Sequence, residues 1–122
     1  MEKTLKFNSQ VATNRSQSER LLALGLKSET ADMTIHIKKD GHWYVTADPF
    51  YEWEDDMNTL PCLEEPDGIL PAWSLHRLIL LLDTIACDWI FRNGDCYTNA
   101  INGIEWLIKK GYFNKEYLNG ND

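Results

Sequence analysis

Residues 33–47 alternate apolar and polar side chains on either side of a single glycine, a pattern that points to a β-hairpin. Met33-Thr-Ile-His-Ile-Lys38 and His42-Trp-Tyr-Val-Thr-Ala47 both have the two-residue period of a strand, and Lys39-Asp40-Gly41 lies between them. Loop length decides which side chains are buried. A two-residue Asp40-Gly41 turn pairs Ile37 with Tyr44 and Ile35 with Thr46, which leaves apolar groups on both faces. A three-residue loop with Gly41 in the left-handed bulge position pairs Ile37 with Trp43 and Ile35 with Val45. The second register is expected, because it gathers Ile35, Ile37, Trp43 and Val45 on one buried face and leaves His36 and Tyr44 to share the other. A slip of one residue would exchange the faces. An isolated hairpin is not stable in water, so the rest of the chain must cover it.

Three helical segments can supply that cover. Ser16-Gln-Ser-Glu19 reads as a capping box for a helix over 17–24, with Gly25 as its stop and Leu26 as the apolar clasp. Ser74 caps a helix over 74–83 whose stripe is Leu75, Leu78, Ile79 and Leu82. Leu80 and Leu81 widen that stripe, so this helix is either central or shared with a second copy. Thr98 or Asn99 caps a helix over 98–110 that buries Ala100, Ile101, Ile104, Leu107 and Ile108. Lys109 and Lys110 complement its dipole, and Gly111 ends it with Tyr112 and Phe113 folding back. Ile85 to Arg92, closed by Asn93-Gly94-Asp95, reads as a third strand. The expected fold class is α+β: a hairpin of 33–38 and 42–47, a third strand over 85–92, and three helices on one face. A chain of 122 residues fits a single domain. Residues 1–14 and 114–122 are expected to be loose, and 48–73 to be a long loop.

That loop carries the chain's charge imbalance. No Lys or Arg falls between Asp40 and His76, whereas nine carboxylates do: Asp40, Asp48, Glu52, Glu54, Asp55, Asp56, Glu64, Glu65 and Asp67. The window is therefore at −9 and the rest of the chain, with 12 cations and 10 acids, at +2. Trp43, Tyr44, Phe50, Tyr51, Trp53 and Trp73 run through it. Such a surface repels phosphate and attracts cations or basic proteins. The expected function is non-enzymatic: a protein–protein interaction or regulatory module that meets a basic partner. Tyr51 and Trp53 would anchor the contact, and Glu52, Glu54, Asp55 and Asp56 would steer it.

Other chemistries find less support. His36, His42 and Cys62 are the candidates for a small metal-dependent or Cys/His hydrolase, but the close Cys/His spacing of zinc sites is missing, so no metal or cofactor is expected. There is no P-loop, GxGxxG or GxSxG. The basic residues are scattered, which argues against direct nucleic-acid binding. The acidic window could instead mimic nucleic acid towards a basic groove on another protein. Three cysteines without a CxxC pair read as free thiols in a reducing cytoplasm. The longest apolar run, Leu78 to Leu82, is too short to cross a bilayer. Either a monomer or a homodimer is compatible with the sequence.

The segments Ser16-Gln-Ser-Glu-Arg-Leu-Leu-Ala-Leu-Gly-Leu26, Thr30-Ala-Asp-Met33, Pro71-Ala-Trp-Ser-Leu75 and Ile104-Glu-Trp-Leu-Ile108 with Gly111-Tyr112, taken together, resemble a group of small proteins encoded by gut Bacteroidales genomes and their phages or integrated elements. The resemblance spans about residues 16–113. It implies a bacterial or phage origin and a cytoplasmic protein. It implies no activity, cofactor or catalytic residue, since none is assigned to that group.

Overall fold

A computed structural model describes residues 10–50 and 68–120. Six principal elements follow in chain order: α1 (Arg15–Ala23), β1 (Met33–Ile37), β2 (Trp43–Thr46), β3 (Gly68–Ala72), α2 (Leu75–Ala86) and α3 (Cys96–Lys110). Short 3-10 turns lie at Ser28–Thr30, Cys87–Phe91 and Lys115–Tyr117. The three strands form one antiparallel sheet in the order β2-β1-β3. The fold is α+β.

The hairpin has the expected register, with Ile35 opposite Val45 and Ile37 opposite Trp43. Gly41 makes the loop possible. Its φ of 91° is the left-handed bulge conformation, and its amide donates to Lys38 O at 3.0 Å. Burial departs from the expectation. Ile35 is buried, but Trp43 is 54% exposed on the outer strand. The other face is not solvated either, since Thr34 and His36 are both buried there. Ala12, Ile35 and Ala72 form a small cluster with Met33, Ile37, Val45 and Leu70, while Ile69 packs into the main core. The pleat puts Ile69 on the opposite side of β3 from Leu70, so the sheet has apolar cover on both sides.

The third strand is Gly68–Ala72, not 85–92. Pro71 obscured it, because proline is excluded from central strands. On β3, which neighbours only β1, its missing N–H costs no ladder bond to the interior. Residues 85–92 instead complete α2 and form the turn Cys87–Phe91, whose Trp89 and Ile90 pack onto the main core. Their imperfect alternation reflects that helical packing. The stretch 48–73 is accordingly not a loop at its described ends: Phe50 and Trp73 are buried, and β3 lies within it.

The main core joins Leu21, Leu26, Trp73, Leu78, Leu82, Ile101, Ile104 and Leu107. Two caps differ from the expected ones. Asn14, not Ser16, caps α1 in a reciprocal box with Gln17, and Asp95, not Thr98 or Asn99, caps α3 by accepting from the Thr98 amide at 2.9 Å. Ser74 caps α2 as expected and is itself held by Asp32.

The described parts of the termini are tied down. Thr13 is buried; its amide donates to Trp73 O at 2.9 Å and its Oγ1 accepts from the Trp73 amide at 3.0 Å. At the other end Leu118 bridges to Leu26, and Phe113 is buried. Residues 10–14 and 113–118 are therefore part of the packed structure.

Within α2 the helix is broken at Asp83, whose φ of 56° and ψ of −166° belong to a region used almost solely by glycine. Its Oδ1 accepts from the amide of the next residue, Thr84, at 2.8 Å. Leu81 and Leu82 point inward, whereas Leu80 and Ile85 on either side of the break are 56% and 53% exposed. None of the described helices is long and apolar enough to cross a membrane.

Candidate interaction surface

The six residues expected to bind, Tyr51, Glu52, Trp53, Glu54, Asp55 and Asp56, lie outside the described residues, as does Cys62. Four of the six ring residues of the acidic window are described, and they divide in two. Phe50 and Trp73 belong to the core. Trp43 and Tyr44, on the outer strand β2, are 54% and 43% exposed. Trp73 is fully committed to structure, with its indole Nε1 donating to Thr30 Oγ1 at 2.9 Å.

Trp43 and Tyr44 sit among charged groups. Asp40 and Asp48, the two described carboxylates of the window, are both exposed. Asp40 Oδ2 lies 2.9 Å from His42 Nδ1, and hydrogen bonds from the His42 side chain and then its backbone hold the Asp40 carboxyl below the usual carboxylate range. Lys38 Nζ is 5.7 Å from the Tyr44 ring centre, a cation–π contact at an exposed site.

Beneath Tyr44 lies His36. Its ring stacks on the Tyr44 ring at 4.7 Å between centres and 10° between planes, and its Nε2 is 2.9 Å from Thr46 Oγ1. Burial disfavours the imidazolium and lowers the His36 pKa, while the nearby Asp48 carboxylate opposes that shift. The Asp48 backbone is itself fixed, with its carbonyl accepting from Thr34 Oγ1 at 2.8 Å. The structure thus brings His36 into a support for Tyr44.

His36 and His42 do not converge, since one faces Thr46 and Tyr44 and the other Asp40. Among the described residues no group of three or more His, Cys, Asp or Glu side chains could hold a metal ion.

A second surface was not evident from sequence. It follows the break in α2. A groove of about 620 Å³ is lined by Lys27, Glu29, Arg77, Leu80, Asp83 and Tyr117 among others. It adjoins a depression of about 150 Å³ that Leu80, Ile85, Tyr112 and Tyr117 share. Neither lining includes a histidine or cysteine, so neither offers the usual nucleophile–base pair. The one signal for this surface was the surplus of leucines in 78–82. Ile85 was hidden by its assignment to a strand.

Comparison with family models, with curated proteins and with solved structures finds no match to this chain.

Proposed function

We propose that the protein is a non-enzymatic interaction module that meets a basic protein through the acidic window of 40–67. The observation that carries this reading is the pairing of half-exposed Trp43 and Tyr44 with a chain segment that holds nine carboxylates and no cation. Large rings that remain outside the core are the residue type that anchors protein interfaces. Clustered like charge around them raises the encounter rate with an oppositely charged partner. Stacking on a buried His36 limits the freedom of the Tyr44 ring, which reduces the entropy lost on binding. Tyr51 and Trp53 would extend the anchor, and Glu52, Glu54, Asp55 and Asp56 the steering charge.

The test is affinity capture from the native cell with three baits: the wild-type chain, Trp43→Ala/Tyr44→Ala, and Glu52→Gln/Glu54→Gln/Asp55→Asn/Asp56→Asn. Mass spectrometry should find a basic protein that the wild type retains and both variants lose. A set of captured proteins that is the same for all three folded baits would refute the assignment.

A further inference from the structure

We infer that the outer edge of β2 takes up an extended basic segment of the partner as an added strand. The inference rests on the function proposed above and names how that partner is held. Consecutive side chains of a strand point to opposite faces of the sheet. Trp43 and Tyr44, 54% and 43% exposed, therefore stand on two different faces. A partner laid flat against either face would meet one ring. A chain running along the edge meets both.

The hairpin's hydrogen bonds leave that edge open. Lys38 N donates to His42 O at 2.7 Å, so these two residues form a bonded pair. Bonded and non-bonded pairs alternate along an antiparallel ladder. His36–Tyr44 and Thr34–Thr46 are then the bonded pairs, and Trp43 and Val45 turn their N–H and C=O groups away from β1. β2 ends the sheet order β2-β1-β3, and among the described residues no hydrogen bond reaches those outward groups. The other edge is less suited. Pro71, opposite Thr34, faces outward there and has no N–H to offer. An open edge pairs with extended chains: main-chain bonds give affinity, and alternate side chains give specificity.

The two faces and the charge select the occupant. Val45 and Trp43 lie opposite Ile35 and Ile37, and Val45, Ile35 and Ile37 belong to one apolar cluster. Tyr44 and Thr46 share the other face with His36, and the Asp48 carboxylate is close to His36. A segment that alternates apolar and basic residues matches both faces. From Asp40 to Asp67 the chain carries nine carboxylates and no cation, with Lys38 and Lys39 just before it. Pairing β2 with the β2 of a second copy would bring two such windows together, which their charge opposes. Antiparallel addition continues the sheet and is the more stable pairing per residue.

The experiment titrates the isotope-labelled full chain with a capped peptide of alternating valine and lysine, about eight residues long, and follows amide shifts and hydrogen exchange at low salt. In antiparallel addition the valines lie opposite Trp43 and Val45 and aim their N–H groups at β2, whereas the lysines aim theirs at solvent. N-methylation of the valines should weaken binding by about tenfold or more, and N-methylation of the lysines should change it little. Binding should protect the Trp43 and Val45 amides from exchange. Val45→Pro removes one outward donor and should bind more weakly with an unchanged circular dichroism spectrum; if it fails to fold, the two N-methylated peptides still decide. Equal binding of those two peptides, or no binding of the parent peptide, would overturn the added strand and leave the acidic-window reading to its own captures. Equal binding of a valine–glutamate peptide would overturn the basic occupant and the acidic-window reading with it. Protection of Trp43 and Val45 that rises with chain concentration alone would place a second copy on the edge and overturn the inference.

Discussion

Gly103 lies where α3 crosses α2 and the turn Cys87–Phe91, and replacing it with alanine tests that crossing at one atom. A Cβ built there would stand 2.7 Å from Leu82 Cδ2, 3.0 Å from Trp89 Cγ and 3.1 Å from Trp89 Cβ. Two effects oppose each other. Alanine is the better helix former by about 1 kcal/mol at an interior position. Against this, forcing a methyl group into a filled core costs about 1–3 kcal/mol. Leu82 Cδ2 is the end of a flexible side chain and can turn aside, although the residue is fully buried. Trp89 cannot yield as easily. Its Cβ and Cγ lie close to the backbone, the Arg92 guanidinium covers its ring at 3.4 Å, and Trp106 packs beside it. The clash therefore wins, and Gly103→Ala should lose about 1–2 kcal/mol net, with Gly103→Leu losing more. For a chain of this size that is a fall in Tm of roughly 3–10 °C. Urea unfolding followed by tryptophan fluorescence and by circular dichroism measures it. A variant as stable as the wild type, or more stable, would refute the close approach of α3 to Leu82 and Trp89.

Three further outcomes are expected. His36 has a pKa lowered mainly by burial, so the folded state binds its proton less readily than the unfolded chain; stability from this residue is present above about pH 6.5 and is lost as pH falls through that value towards the lowered folded pKa. Urea midpoints between pH 7.5 and 5 should fall for the wild type and less for a folded His36→Gln, and equal slopes would contradict the burial of the imidazole. Asp83→Gly relieves a backbone conformation costing about 1–3 kcal/mol and loses one exposed hydrogen bond to the Thr84 amide, worth about 0.5–1.5 kcal/mol, so it should raise stability by about 1 kcal/mol, whereas Asp83→Ala should lower it; a destabilised glycine variant would contradict the strain. Thr13→Val leaves the buried Trp73 amide without its acceptor and should cost about 1–3 kcal/mol in thermal unfolding, an outcome that a loose segment 10–14 could not produce.

The local rules that succeeded were those in which chemistry and geometry are tied within a few residues. The Lys39-Asp40-Gly41 loop specified the hairpin register, and the stripes of 74–83 and 98–110 specified the two long helices. Pro71 hid β3 because the sequence does not say which strand will be at an edge. The apolar run 85–92 was ambiguous because a short buried segment looks alike in strand and helix. The caps moved to Asn14 and Asp95 because several side chains near each helix start could accept the same amides. Of the candidate site, exposure separated Trp43 and Tyr44 from Phe50 and Trp73, and that separation depends on tertiary packing alone. The break at Asp83 had no sequence signal, since aspartate is not the residue that backbone conformation calls for; of the surface beside it only the surplus of leucines in 78–82 was legible.

The proposed role rests on charge in the acidic window drawing in a basic partner. Its most direct test is the affinity of the captured partner for the wild-type chain, measured by biolayer interferometry across a salt series. A steep loss of affinity is expected, carried mainly by a slower association rate, as ionic strength passes about 0.1 M and the screening length falls to roughly 10 Å. An affinity that is unchanged across the series, or that survives neutralisation of Glu52, Glu54, Asp55 and Asp56, would contradict it.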